Sequence, residues 1–122
     1  MISSKIHAVL DYIVGILLIA IPWLLGFADH GPATALPVIL GISTLIYSLL
    51  TDYEYAIAPA FSFRGHLLLD MMSAVLLLIS PWLFGFSKQV FLPHVILGAF
   101  EIMAVILTTK QPPDTKFVIR SS

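Results

Sequence analysis

The sequence predicts an all-α membrane protein, a four-transmembrane-helix bundle made of two tandem helical hairpins. Three observations carry this reading: the composition, the spacing of the apolar stretches and an internal repeat. Of 122 residues, 59% are hydrophobic and 11% charged, and the mean hydropathy is +1.01. An ordinary soluble domain has roughly 45–50% apolar and about 25% charged residues. A single soluble core of this size cannot hide so much apolar surface, whereas four spans of about 20 residues absorb it and leave the remainder for loops and tails. The formal net charge of -1 provides no electrostatic footprint for a nucleic acid. The absence of cysteine removes disulfides, thiolate nucleophiles and Cys-based metal sites, which leaves His, carboxylate and hydroxyl chemistry.

The first apolar stretch, Ile6 to about Phe27, is longer than the core of a signal peptide, carries Asp11 and lacks a small-residue cleavage site, so it is read as a retained helix. The second runs from about Ala35 to Leu50, the third from His66 to Phe86 and the fourth from Pro93 to Thr109. The second and fourth are near the lower limit for spanning a hydrocarbon core of about 30 Å. The connections Ala28 to Pro32 and Ser87 to Val90 are short enough to force antiparallel neighbours. Residues 51–64 form an interfacial connector rich in aromatics, with Tyr53, Tyr55, Phe61 and Phe63 beside Asp52, Glu54 and Arg64. Residues 110–122 read as a flexible tail, so the whole of 1–122 is one membrane domain. Lys5, Arg64, Lys110, Lys116 and Arg120 fall on one side and Lys88 on the other. The positive-inside rule then places both termini in the cytoplasm of a multi-pass inner-membrane protein.

A shift of 59 residues carries His7, Leu10, Asp11, Leu17, Leu18, Pro22, Trp23, Leu24, Gly26 and Phe27 onto His66, Leu69, Asp70, Leu76, Leu77, Pro81, Trp82, Leu83, Gly85 and Phe86. A shift of 57 then carries Val38–Gly41 onto Val95–Gly98 and Leu50–Thr51 onto Leu107–Thr108. The chain is thus a tandem duplication, residues 5–50 and 65–109. Each copy crosses the membrane twice, so the pseudo-twofold axis runs along the membrane normal rather than in its plane.

Ser80-Pro81-Trp82-Leu83-Phe84-Gly85-Phe86 resembles the signature of the SPW repeat membrane proteins, and the segments 66–70 and 93–102 resemble further features of that family. The resemblance covers essentially residues 5 to 109 and implies a pair of transmembrane helices per repeat, with no activity attached. The first copy departs from the pattern, with Ile21, Pro37 and Thr44 where the second has Ser80, His94 and Glu101.

The polar residues inside the spans are the candidate site. His7 and Asp11 are four apart, as are His66 and Asp70, so each pair shares a helix face. Meeting across the pseudo-twofold axis, the two pairs would fasten helices where lipid supplies no hydrophobic drive. Two other readings stand beside this one: a proton or ion relay, and a cofactor site, either a divalent metal held by the two His and two carboxylates or a haem ligated by the two His, neither of which has a spacing signature. Glu101 lies near the middle of the fourth helix, where a carboxylate needs a partner or a proton. Its stripe runs His94, Gly98, Glu101, Val105, Thr108, and its counterpart in the second helix runs Pro37, Gly41, Thr44, Ser48, Thr51; both are expected to face inward, with His94 on the outer side. A cluster of His7, Asp11, His66, Asp70 and Glu101 follows. Pro22 and Pro81 are expected to kink their helices near the outer ends, with Trp23, Trp82, Phe27 and Phe86 at the interface, Gly26 and Gly85 at helix ends and Ser80 bonding locally.

No phosphate-cradling loop, nucleophile elbow or HExxH helix occurs, so no enzyme, cofactor or metal is assigned. The expected partners are the lipid bilayer and, in addition, a second copy or another membrane protein. The leading expectation is a structural or accessory protein. The rivals are a proton-coupled or ion-conducting carrier acting as a homo-oligomer, and a haem- or quinone-binding protein.

Overall fold

The computed structural model describes residues 2–51, 56–58 and 62–108. Within them the protein is four helices with no strand: α1 (Ser4–Leu24), α2 (Pro32–Leu49), α3 (Phe63–Leu83) and α4 (Leu92–Leu107). Half of the aromatic connector, with Tyr53, Tyr55 and Phe61, and the whole of the tail from residue 109 lie outside the described residues. Helices α1, α2 and α3 are long and apolar enough to cross a membrane, and α4 is a shorter apolar helix.

Both hairpins begin the same way. Ser3 caps α1 by accepting from the Ile6 N–H at 3.2 Å, and Ser62 caps α3 by accepting from the Gly65 N–H at 3.0 Å. Each serine thereby takes up one of the donors that the first helical turn leaves open. These caps start α1 and α3 earlier than the apolar runs suggest, and they set His7 and His66 at matching positions in the second turn.

Both hairpins also turn the same way, and the repeated Pro-Trp-x-x-Gly-Phe run is the device that turns them. Gly26 and Gly85 adopt φ of 73° and 75°, the left-handed conformation that glycine reaches without a Cβ penalty. The following Phe27 and Phe86 amides then reach back to the carbonyls of Pro22 and Pro81, each at 2.8 Å. In α1 the Gly26 amide also bonds the Trp23 carbonyl at 3.3 Å, which completes a Schellman termination. The prolines therefore sit in the last turn, where the expected kink merges with the helix end, and α1 and α3 stop at Leu24 and Leu83 rather than at the phenylalanines. Pro81 cannot donate to the Leu77 carbonyl four residues back, and the Ser80 hydroxyl donates to that carbonyl instead at 2.7 Å.

Within each hairpin the helices pack through small residues. A Cβ on Gly41 would lie 2.6 Å from the Gly15 carbonyl oxygen, and one on Gly98 would lie 2.8–2.9 Å from the backbone of Leu78 and Ala74. Gly15 and Ala74 are counterparts in the repeat, as are Gly41 and Gly98. Close backbone approach of this kind drives helix association where lipid tails are as apolar as the side chains.

The radial distribution of polarity is that of a membrane protein. His7, Asp11, Thr44, Ser48, Thr51, His66, Asp70, Ser80, His94, Glu101 and Thr108 are buried, while Ile13, Ile16, Trp23, Ile39, Leu68, Trp82, Ile96 and Ile106 are exposed. Water would penalise both halves of that arrangement, whereas hydrocarbon favours both. Both hairpin loops share one end: the Gln89 side-chain amide donates to Asp29 Oδ2 at 2.6 Å. At the opposite end the Ile2 amide donates to the Leu107 carbonyl at 2.8 Å, closing α1 against α4.

Candidate functional site

The two His–Asp pairs meet between the hairpins near the starts of α1 and α3. His7 Nε2 lies 2.7 Å from Asp70 Oδ2, and His66 Nε2 lies 2.7 Å from Asp11 Oδ2. The contacts within each helix are longer, 3.2 Å for His7 with Asp11 and 3.1 Å for His66 with Asp70. The tighter bonds therefore cross from one repeat to the other. All four side chains are within 2% of full burial.

Two threonines fix the proton positions. Thr51 Oγ1 donates to the Tyr47 carbonyl and Thr108 Oγ1 donates to the Ala104 carbonyl, the back-bond to residue i−4 typical of a helical threonine. With its hydrogen spent, each hydroxyl accepts: from His66 Nδ1–H at 2.7 Å on Thr51, and from His7 Nδ1–H at 2.8 Å on Thr108. Each Nε2 therefore faces carboxylate oxygen with its second nitrogen already protonated. A lone pair and an anion cannot sit 2.7 Å apart unaided, so a positive centre has to lie between them. One proton in each crossed contact satisfies this and leaves the quartet with no net charge, the condition for burying four ionisable groups together.

Around this centre the repeats differ. Tyr47 OH donates to Asp70 Oδ1 at 2.5 Å and sits 3.3 Å from Thr44 Oγ1. Its counterpart is Ala104, and that of Thr44 is Glu101. Glu101 is buried, yet Oε1 has no hydrogen-bond partner among the described residues. With Thr44, Tyr47, Asp70 and Ser73 it lines a pocket holding about 10 Å³ of free space, the threshold for a single water molecule. Four members of the expected cluster thus come together and Glu101 stands beside them without joining.

At the loop end, His94 Nε2–H donates to the Ala33 carbonyl at 2.8 Å, and its ring packs between Phe27 and Phe86 with centroids at 5.5 and 4.8 Å. His94 thus joins α4 to α2 and to both motif phenylalanines. Trp23 and Trp82 of the motif point outward, as interface residues would. Tyr47 is the participant that sequence reasoning missed. Its place one turn from Thr51, at the edge of the buried stripe, was the available signal.

An outside of hydrocarbon character, a buried ionic centre and a duplicated hairpin define a small polytopic membrane protein. The sequence model of the SPW repeat domain matches residues 5–108, and the chain belongs to that family of membrane proteins. No curated protein and no solved structure gives a significant match to it.

Proposed function

We propose that this is a non-catalytic structural or accessory protein of the inner membrane, in which all four helices span and both termini face the cytoplasm. The His/Asp quartet is its fastening, holding two repeats in one register, and its lipid-facing surface is what it offers to another membrane protein or a second copy. The observation that carries this reading is the crossed pairing: the shortest contacts, at 2.7 Å, join the repeats rather than the residues of one helix. Interhelical polar bonds of this kind supply the specificity that apolar packing in lipid lacks. Thermal unfolding of the purified chain in detergent tests it. His7→Ala and His66→Ala should each lower the melting temperature by several degrees, and an unchanged melting temperature in both would defeat the proposal. The orientation rests on the five basic residues that lie on the side of the termini and connector. A C-terminal phosphatase fusion should be inactive, and one active in the periplasm would reverse the assignment.

A proton-coupled carrier is the second reading, favoured by Glu101, a buried carboxylate without a hydrogen bond beside a water-sized space that Asp70 also lines. Proton flux in reconstituted vesicles that Glu101→Gln abolishes would establish it, since an amide cannot titrate. A haem between the two histidines is sterically disfavoured: each Nε2 already has two carboxylates within 3.2 Å, where the macrocycle would lie.

A further inference from the structure

We infer that the quartet His7, Asp11, His66 and Asp70 is a binding site for one divalent transition-metal ion, with Zn²⁺ the best-fitting member of the class. The inference uses the same four residues as the proposed fastening and goes beyond it by naming a second occupant. One ligand atom from each residue can be chosen so that all four lie within 4.8 Å of one another, and all four residues are buried. Two imidazole nitrogens and two carboxylate oxygens are a donor set suited to zinc, which takes four such ligands tetrahedrally.

The second, independent observation is the threonine pair. A metal-binding histidine needs one nitrogen free of hydrogen and the other held as a donor to an outer acceptor, which fixes both tautomer and ring direction. Thr51 and Thr108 do this for His66 and His7, with Nδ1–H donated at 2.7 and 2.8 Å. Both Nε2 lone pairs are thereby aimed at the carboxylates. Each Thr, just past the end of α2 or α4, supports the histidine of the other repeat, so the support is as symmetric as the ligands.

Charge and size agree. Zn²⁺ with two carboxylates and two neutral imidazoles is net neutral, as is the quartet holding two protons, so the ion replaces two protons at no cost in net buried charge. With bonds of about 2.0–2.2 Å, tetrahedral ligand atoms stand about 3.3–3.5 Å apart. The contacts within each helix, at 3.1 and 3.2 Å, are nearly there. The crossed contacts have to open from 2.7 Å by about 0.6–0.8 Å, and the most distant of the four ligand atoms, which lie within 4.8 Å of one another, have to draw in, movements within the reach of side-chain rotation. With all four positions filled by protein the site is closed, which suits a structural or stored metal rather than catalysis.

The test uses the full-length chain, purified in detergent, stripped with a chelator and titrated with Zn²⁺ or Co²⁺. The expected result is one ion per chain, a raised melting temperature, and with Co²⁺ the intense visible absorption of a tetrahedral centre. Asp11→Asn with Asp70→Asn, which keeps the shape of both side chains, should abolish the Co²⁺ signal. Thr51→Val with Thr108→Val should weaken binding by about 10- to 100-fold, and His30→Ala, away from the quartet, should leave it unchanged. No stoichiometric ion on the wild-type chain, or binding that survives the double Asn variant, would overturn the inference. If wild-type protein takes no metal while the His→Ala variants still lose stability, the fastening stands and only the metal falls. If metal binds and those variants keep their stability, the reverse holds.

Discussion

The two repeats agree where they touch each other and differ around that contact. Ser3 and Ser62, His7 and His66, Asp11 and Asp70, Thr51 and Thr108, and Gly41 and Gly98 occupy matching positions and make matching contacts. Thr44 with Tyr47 in the first repeat is replaced by Glu101 with Ala104 in the second, Ile21 by Ser80, and Pro37 by His94. The shared set fixes helix starts, close packing and the central pairs, all of which both halves need for the fold. The unshared set borders the pocket beside Asp70 and the loop-end contact of His94, so specialisation has accumulated next to the symmetric centre rather than within it.

That division predicts which substitutions act alike in the two halves. The largest loss should come from the quartet: His7→Ala or His66→Ala leaves a buried carboxylate short of its crossed partner, and each should cost about 3 kcal/mol in unfolding free energy in detergent, nearly equally. Next come Gly41→Ala and Gly98→Ala. Both force a Cβ against backbone at under 3 Å, and overpacking of this sort costs about 1–3 kcal/mol, read as a lowered melting temperature.

Two smaller changes separate the repeats. Ser80→Ala removes the donor to the Leu77 carbonyl and should cost about 1 kcal/mol, whereas Ile21→Ala at the matching position should cost no hydrogen bond. Glu101→Met should be neutral or stabilising by thermal unfolding, because it removes a buried polar group that makes no hydrogen bond while nearly preserving volume.

The smallest effect belongs to Asp29, in the loop outside the spans. Hydrogen bonds from Gln89, the Gly31 amide and Thr34 hold its carboxyl below the ordinary value of 3.8. A lowered value means that the loop-to-loop link is intact above 3.8 and is lost as pH falls through the value in the folded protein. The Gln89 side-chain amide resonance should therefore stay constant at neutral pH and move only at strongly acid pH, and Asp29→Ala should abolish the movement.

The architecture was legible because its signals are periodic or repeated. Apolar runs fix the number of helices, and the shift of 59 residues pairs His7 with His66 before any contact is known. Polar residues spaced three and four apart mark the buried faces, since lipid cannot solvate them. Helix ends were less legible: Ser3 and Ser62 lie outside the apolar runs that they cap, and the role of Gly26 and Gly85 depends on a backbone angle. The site's outer shell was hidden for a different reason. Thr108 reaches His7 across 101 positions of chain, and only the closure of α4 against α1 brings them together. Tyr47 was masked by its chemistry, since a tyrosine suits a membrane interface as well as a buried hydrogen bond.

The central claim is that the quartet couples the two repeats, and a double-mutant cycle between His7→Ala and Asp70→Ala measures that coupling directly. Unfolding free energies of the wild type, both single variants and the double variant, taken in the same detergent, give the interaction term. The account predicts a coupling of about 1–3 kcal/mol for this crossed pair, larger than that for His7 with Asp11 on one helix. Costs that simply add, or a coupling greater within the helix than across the repeats, would contradict it.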